Sequence, residues 1–170
     1  MKTQLILVTL LISFSVSSQN NKFSLKIKTE VEEMINAIKN QNYKVILQYT
    51  YPTLVEMIGN EKEALDKITE GMKSLKSRGF EIEKIEIGEP GEIFIAGNEF
   101  HCLVPEKIFL NSKDGHFLKN GNLLAVSKDK GQSWYYIDCN IGKKRLLIIL
   151  PEYNSSLIIP KSDNLTKIQD

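Results

Sequence analysis

The side chains best suited to chemistry here are two histidines, His101 and His116, two cysteines, Cys102 and Cys139, and a group of tyrosines that includes Tyr43, Tyr49 and Tyr51. General acid–base work needs a base shielded from water and within hydrogen-bond reach of a partner. In a strand, Glu99, His101 and Leu103 share one face, and Phe100, Cys102 and Val104 share the other. The second face is the more apolar and is expected to meet the helices, which turns Glu99 and His101 outward into solvent. His116 follows Asp114-Gly115 and reads as a turn residue. No convincing buried base with a partner remains, so no catalytic residue is assigned.

The other signatures of chemistry are missing as well. The chain has no C-x-x-C or H-x-x-x-H spacing, so no metal site is expected. It has no G-x-S-x-G, G-x-x-x-x-G-K-[ST] or H-E-x-x-H, which removes the serine-hydrolase, P-loop and zincin signatures. No cofactor is expected, and the reading leans away from an enzyme.

Binding is better supported. Tyr49 and Tyr51 sit in a helical stretch, where they would line a cavity mouth, or else form core rings with hydroxyls at the surface. Trp134, Tyr135 and Tyr136 are the densest aromatic cluster. Alternation puts Tyr135 and Ile137 on one face and Trp134 and Tyr136 on the other, so one exposed set would make a platform for a sugar or a partner. Tyr49, Tyr51, Trp134 and Tyr136 are therefore the candidate ligand-binding residues. Cys102 and Cys139 invite a disulfide in an exported chain, with two separately buried thiols as the alternative.

The chain has 170 residues, with 22 Lys+Arg against 21 Asp+Glu, 42% hydrophobic and 25% charged residues. That balance fits one folded domain and argues against wholesale disorder, a multi-span membrane protein or a basic nucleic-acid binder. Lys143-Lys144-Arg145 is a basic triplet without interleaved aromatic residues and reads as a solvated segment. Asn154-Ser155-Ser156 and Asn164-Leu165-Thr166 carry the glycosylation sequon, which matters only in a host that glycosylates exported chains.

The N-terminus reads as a targeting signal. Lys2 supplies the positive n-region, Leu5–Phe14 the apolar run, and Ser15-Val16-Ser17-Ser18 the small residues a signal peptidase needs. The run is shorter than the ~20 apolar residues of a bilayer-spanning helix. Residues 1–17 are expected to be a signal peptide, with cleavage after Ser17 or Ser18. The product would be exported, periplasmic or extracellular, with no membrane span after cleavage. Residues 18–160 then form one domain, and residues 161–170 a flexible tail.

The elements that must position these side chains change character once along the chain. Residues 18–24 read as a polar leader. Val31, Met34, Ile35 and Ile38 follow helical spacing, with Thr29 as a cap and Glu32 three residues on. Tyr43–Tyr49 continues as a second helix. Pro52 suits a first helical position, so Pro52–Ile58 reads as a separate short helix closed by Gly59. Asn60 caps the next, whose face is Ala64, Leu65, Ile68, Met72 and Leu75. Beyond Gly79 the period becomes two. Phe80–Ile87 slips phase between Ile82 and Ile85, predicting a bulge. Ile93–Ala96 and Glu99–Val104 flank a Gly97-Asn98 turn. Lys107–Leu110, His116–Lys119, Asn122–Ser127 and Ser133–Asp138 follow, separated by turn signals that include Asn120-Gly121. Leu146–Leu150 is a short apolar run of undecided type, and Leu157–Ile159 a last packed patch. Helices first and strands afterwards predict an α+β fold, with the helices on one face of a curved antiparallel sheet.

That order, with Asn42-Tyr43, Tyr49-Thr50-Tyr51-Pro52 and Gly59 before a third helix, resembles the cone-shaped nuclear-transport-factor-two-like superfamily, and in particular its small exported bacterial members. The resemblance covers Lys28 to Asp138. It implies N-terminal helices closing over a strongly bent sheet, around a cavity that in some members houses acid–base chemistry. Separately, Ser127-Lys128-Asp129-Lys130-Gly131-Gln132-Ser133-Trp134 matches the S-x-D-x-G-x-x-W form of the Asp-box of sialidase-type propellers. The match implies a turn role for Ser127, Asp129, Gly131 and Trp134, and nothing about sugar cleavage. One copy in a chain this short cannot build a propeller.

The leading expectation is an exported, non-enzymatic domain that binds a small molecule or a protein partner between helices and sheet. A small isomerase, dehydratase or hydrolase using the cone interior is the alternative. A structural module forming a homodimer through the outer sheet face is the third.

Overall fold

Phe23, Ile27, Val31 and Ile35 recur every fourth residue, and all lie buried on one face of a helix. That helix, α1, spans Lys2–Lys39 in the computed structural model. Residues 21–161 and 163–168 are described; residues 2–20 enter only through the bounds of α1. The expected signal peptide, residues 1–17, therefore lies outside the described residues. The helix does not start at Thr29. The Thr29 hydroxyl donates back to the Leu25 carbonyl at 3.0 Å, as a mid-helix threonine does. Phe23, in the segment expected to be a polar leader, and Ile27 beyond it continue the apolar stripe.

Three shorter helices follow: α2 (Tyr43–Tyr49), α3 (Pro52–Ile58) and α4 (Glu61–Ser77). Pro52 opens α3, and Gly59 ends it at φ 136°, where a side chain would be strained. Asn60 caps α4. Its Oδ1 accepts from the Glu63 N–H at 3.1 Å, and its Nδ2 donates to Glu63 Oε1 at 3.0 Å.

Six antiparallel strands form an open, curved sheet: β1 (Glu81–Ile87), β2 (Ile93–Ala96), β3 (Glu99–Ser112), β4 (Gly115–Ser127), β5 (Tyr135–Asp138) and β6 (Thr166–Ile168). The path runs β1-β3-β4-β5, with β2 also beside β3 and β6 beside β4. A register shift between Ile82 and Lys84 bends β1. With α5 (Lys143–Ile149), the described residues form an α+β fold of five α-helices and one sheet.

Two breaks expected from the sequence are absent. Pro105 lies inside β3, at the junction where its neighbour changes from β2 to β1. Its carbonyl accepts from Gly88 N–H, so its ring nitrogen faces that junction too and removes no β3–β4 bond. Gly121 lies inside β4, opposite Glu106. A Cβ there would come within 2.9 Å of Glu106 Oε1, so the glycine makes room and does not turn the chain.

The sheet is packed on both faces, which corrects the two-layer expectation. Cys102, Val104, Ala125, Trp134 and Tyr136 meet the α1 stripe on one side. Leu124, Val126 and Ile137 meet Leu146, Ile149, Leu150 and Leu157 on the other. The outer face expected to be free for a homodimer is thus covered at β4 and β5 by α5 and the segment after it. His101 shares this covered face and has no exposed surface, so it is not the solvated residue expected. His116 is a β4 residue rather than a turn residue, its Nδ1 2.9 Å from Glu83 Oε2. The last stretch is not all tail: β6 pairs with His116–Leu118 of β4.

Cys102 and Cys139 are free thiols. They belong to the cores on opposite faces of the sheet, and no disulfide joins them in this structure. Burial pushes both thiols up to about 12, far from reactive thiolates.

Candidate functional site

A carboxylate cluster sits on the covered face. Glu99 and His101 lie two apart on β3, and Tyr51 reaches them from the α2–α3 link. That link is held by the Tyr51 N–H donating to the Tyr136 carbonyl at the β5 edge. The Tyr51 hydroxyl donates to Glu99 Oε1 at 2.8 Å, and His101 Nε2 lies 3.2 Å from Glu99 Oε2. Lys128 Nζ stands 3.8 Å from Glu99 Oε1 and 4.7 Å from the centre of the Tyr51 ring. Burial pulls the His101 imidazole below its usual range, against the opposing pull of Glu99. The ring is then neutral at pH 7, with Nε2–H donating to Glu99. Its buried Nδ1 has no hydrogen-bond partner among the described residues. Burial, and next the bond to Glu99, push the Tyr51 phenol up.

These are the parts of an acid–base site, with the imidazole withdrawn from solvent. His101 is wholly buried, and the Tyr153 ring lies over it, with centroids 6.0 Å apart. Glu99 already receives Tyr51, His101 and Lys128. The cluster acts as a clasp between β3, the α2–α3 link and the end of β4.

Of the other candidate aromatics, Trp134 and Tyr136 are buried and Tyr49 is half-buried against them. Tyr49 meets Tyr136 edge-on at 6.1 Å. The Tyr136 hydroxyl donates to Glu30 at 2.9 Å, and that of Tyr49 to Glu33 at 2.5 Å. Burial first, then the Glu33 bond, raises the Tyr49 phenol to about 12. Trp134 is 1% exposed and packs edge-on against Phe23. Trp134 and Tyr136 are therefore not the exposed platform considered from the sequence. The structure brings Tyr49, Trp134 and Tyr136 into one core and places Tyr51 in the other.

The Ser127–Trp134 segment is a hydrogen-bonded turn. Gly131 N–H donates to Ser127 Oγ at 2.7 Å, and Ser133 N–H to Asp129 Oδ1 at 2.9 Å. Burial raises the Asp129 carboxyl, but bonds from Ser133, Ser127 and the Gln132 backbone together hold it below its usual range. Gly131 has φ 88°, and a Cβ there would come 2.3 Å from the Phe23 ring.

Open space lies elsewhere. A groove of about 870 Å³ runs between α2, α3 and α4 and ends on Tyr135. Leu47, Pro52, Val55 and Leu65 supply its apolar wall, while Lys44, Lys62, Glu56 and Glu61 mix charges around it. No family model, no curated protein and no solved structure matches the chain. No group of His, Cys, Asp and Glu among the described residues could hold a metal ion, and no described helix is long and apolar enough to cross a membrane.

Sequence reasoning missed the groove residues because Leu47, Val55 and Leu65 look like ordinary helix-core positions. The groove between α2, α3 and α4 leaves them uncovered. It missed the clasp because parity assigns faces to a strand without saying whether a face will be covered. The signal for a cover was present in the apolar run Leu146–Leu150.

Proposed function

We propose that the chain is an exported, non-enzymatic domain of the nuclear-transport-factor-two-like kind, which binds a small, largely apolar ligand in the groove between α2, α3 and α4. The observation that supports this reading is the groove itself. Its volume of about 870 Å³ falls in the range of small-molecule sites, and its wall is apolar with polar groups at the edge. The space between α1 and the sheet is filled by Phe23, Ile27, Trp134 and Tyr136, so the ligand does not enter there. The mixed charges at the rim favour an uncharged ligand. Export rests on Lys2, the Leu5–Phe14 run and the small residues that follow. Cleavage after Ser17 or Ser18 keeps Phe23, Ile27, Val31 and Ile35.

Native mass spectrometry of the protein from its own host tests the reading, since it reports the cleaved mass and any bound molecule together. A small-molecule adduct lost on Val55→Trp, with the fold intact, is the expected result. An adduct insensitive to Val55→Trp and Leu65→Trp would move the ligand out of the groove. The enzymatic alternative would need Tyr153 to swing away from His101; turnover of any substrate that His101→Gln abolishes would favour it.

A further inference from the structure

A second cavity, of about 550 Å³, lies on the far side of the molecule under α5 and the chain that follows it. Its inner wall is Leu146, Tyr153, Leu157 and Ile159, of which Leu146 and Leu157 are buried in the core under α5. The wall is preformed. Leu157 N–H donates to the Asn154 carbonyl at 3.0 Å, Tyr153 OH donates to the Leu157 carbonyl, and Asn154 Nδ2 ties the loop to Ile95 of β2 at 2.8 Å. Lys143 and Lys161 are the charged lining residues, with no carboxylate among them. Neither lysine forms an ion pair among the described residues, and neither do the adjacent Lys144 and Arg145. The cavity thus joins a partly open, mainly apolar wall to a rim of unpaired positive charge.

We infer that this cavity binds a single-chain amphiphile with an anionic head, of the fatty-acid type, with its chain against Leu146, Leu157 and Ile159 and its head between Lys143 and Lys161. The two parts do different work. Burial of the chain supplies affinity in proportion to its length, about fourfold for each methylene added until the cavity is full. Exposed ammonium groups add little affinity but reject a cationic head and set the orientation. Ile158, 80% exposed beside the mouth, extends apolar surface along the entry. The site is independent of the α2–α4 groove: the two share no lining residue.

Titration of the full chain with sodium octanoate, decanoate and laurate below their micellar concentrations, followed by calorimetry, tests the inference. Affinity is expected to rise from octanoate to laurate, and dodecyltrimethylammonium to bind at least tenfold more weakly than laurate. Lys143→Glu with Lys161→Glu should weaken laurate at least tenfold while leaving the circular dichroism unchanged. Ile159→Trp should block the cavity, and Val55→Trp in the groove should leave laurate binding intact. Laurate binding indifferent to both the charge reversal and Ile159→Trp, or lost in Val55→Trp, would overturn the assignment. So would equal binding of the cationic detergent. Failure of the groove reading alone would appear as an adduct insensitive to Val55→Trp and would leave these results standing.

Discussion

The two faces of the sheet bury opposite kinds of titratable group. On the α1 face, Glu106 shares parity with Cys102 and Val104 and is 8% exposed. Burial first, then the nearby Asp138 charge, pushes its carboxyl up to about 7, with Lys119 opposing. On the face under α5, burial lowers His101 and keeps it neutral. One face holds an acid that keeps its proton up to about pH 7, and the other a base that declines one. Desolvation disfavours the charged form whatever its sign. The C-terminal cover is core too: Leu146, Ile149 and Leu150 are as buried as the α1 stripe.

The sharpest way to break this comparison is to cut each core by the same amount. Ile27→Ala on α1 and Leu146→Ala on α5 remove side chains that are 0% and 2% exposed. Each is expected to cost about 2–5 kcal/mol in chemical denaturation. A loss below about 1 kcal/mol for Leu146→Ala would mean that the cover is only draped on the sheet.

The pH dependence sharpens it next. Glu106 holds its proton more tightly when folded, so its contribution is present at low pH and is lost as pH rises from its unfolded value through about 7. Glu106→Gln should therefore stabilise the protein by about 3 kcal/mol at pH 8 relative to pH 4, when each is compared with wild type. His101 runs the other way. Its folded value lies below its unfolded one, so stability falls as pH drops below about 6.5, and His101→Gln should remove that loss. Urea midpoints across pH 4–8 for the two variants check both signs.

Hydroxyl deletions have smaller expected effects. Tyr136→Phe leaves Glu30, 8% exposed, with only Lys26 at 2.9 Å, and should cost about 1–3 kcal/mol. Tyr51→Phe should cost about 0.5–1.5 kcal/mol, because Glu99 is more exposed and keeps His101 and Lys128. Thermal melts that reverse this order would make Glu99 the more dependent carboxylate. Asn60→Ala lies outside both faces and should cost about 1 kcal/mol through the lost α4 cap.

Local order was legible where one short stretch carries its own cause. Pro52, Gly59 and Asn60 set the bounds of α3 and α4 because ring closure, positive φ and a side-chain cap act within a few residues. The phase slip after Ile82 announced the β1 bulge, and the helices-then-strands order announced an α+β fold. The reading failed where a residue's role depends on what lies across from it. Pro105 and Gly121 look like breaks in one dimension and are strand residues once their neighbours are known. Phe23 looks like leader until Gly131 receives its ring.

The sequence by itself determined the segment types, the alternation that separates His101 from Cys102, and the absence of a metal or nucleophile signature. Only the tertiary structure decided that both faces are covered, that the two thiols stand on opposite sides, and that open space lies among α2–α4 and under α5. The reason is physical: propensity, capping and periodicity act over a few bonds along the chain. Burial is a property of whatever distant segment comes to rest on a surface, and Tyr153 reaches His101 only because the chain folds back over the sheet.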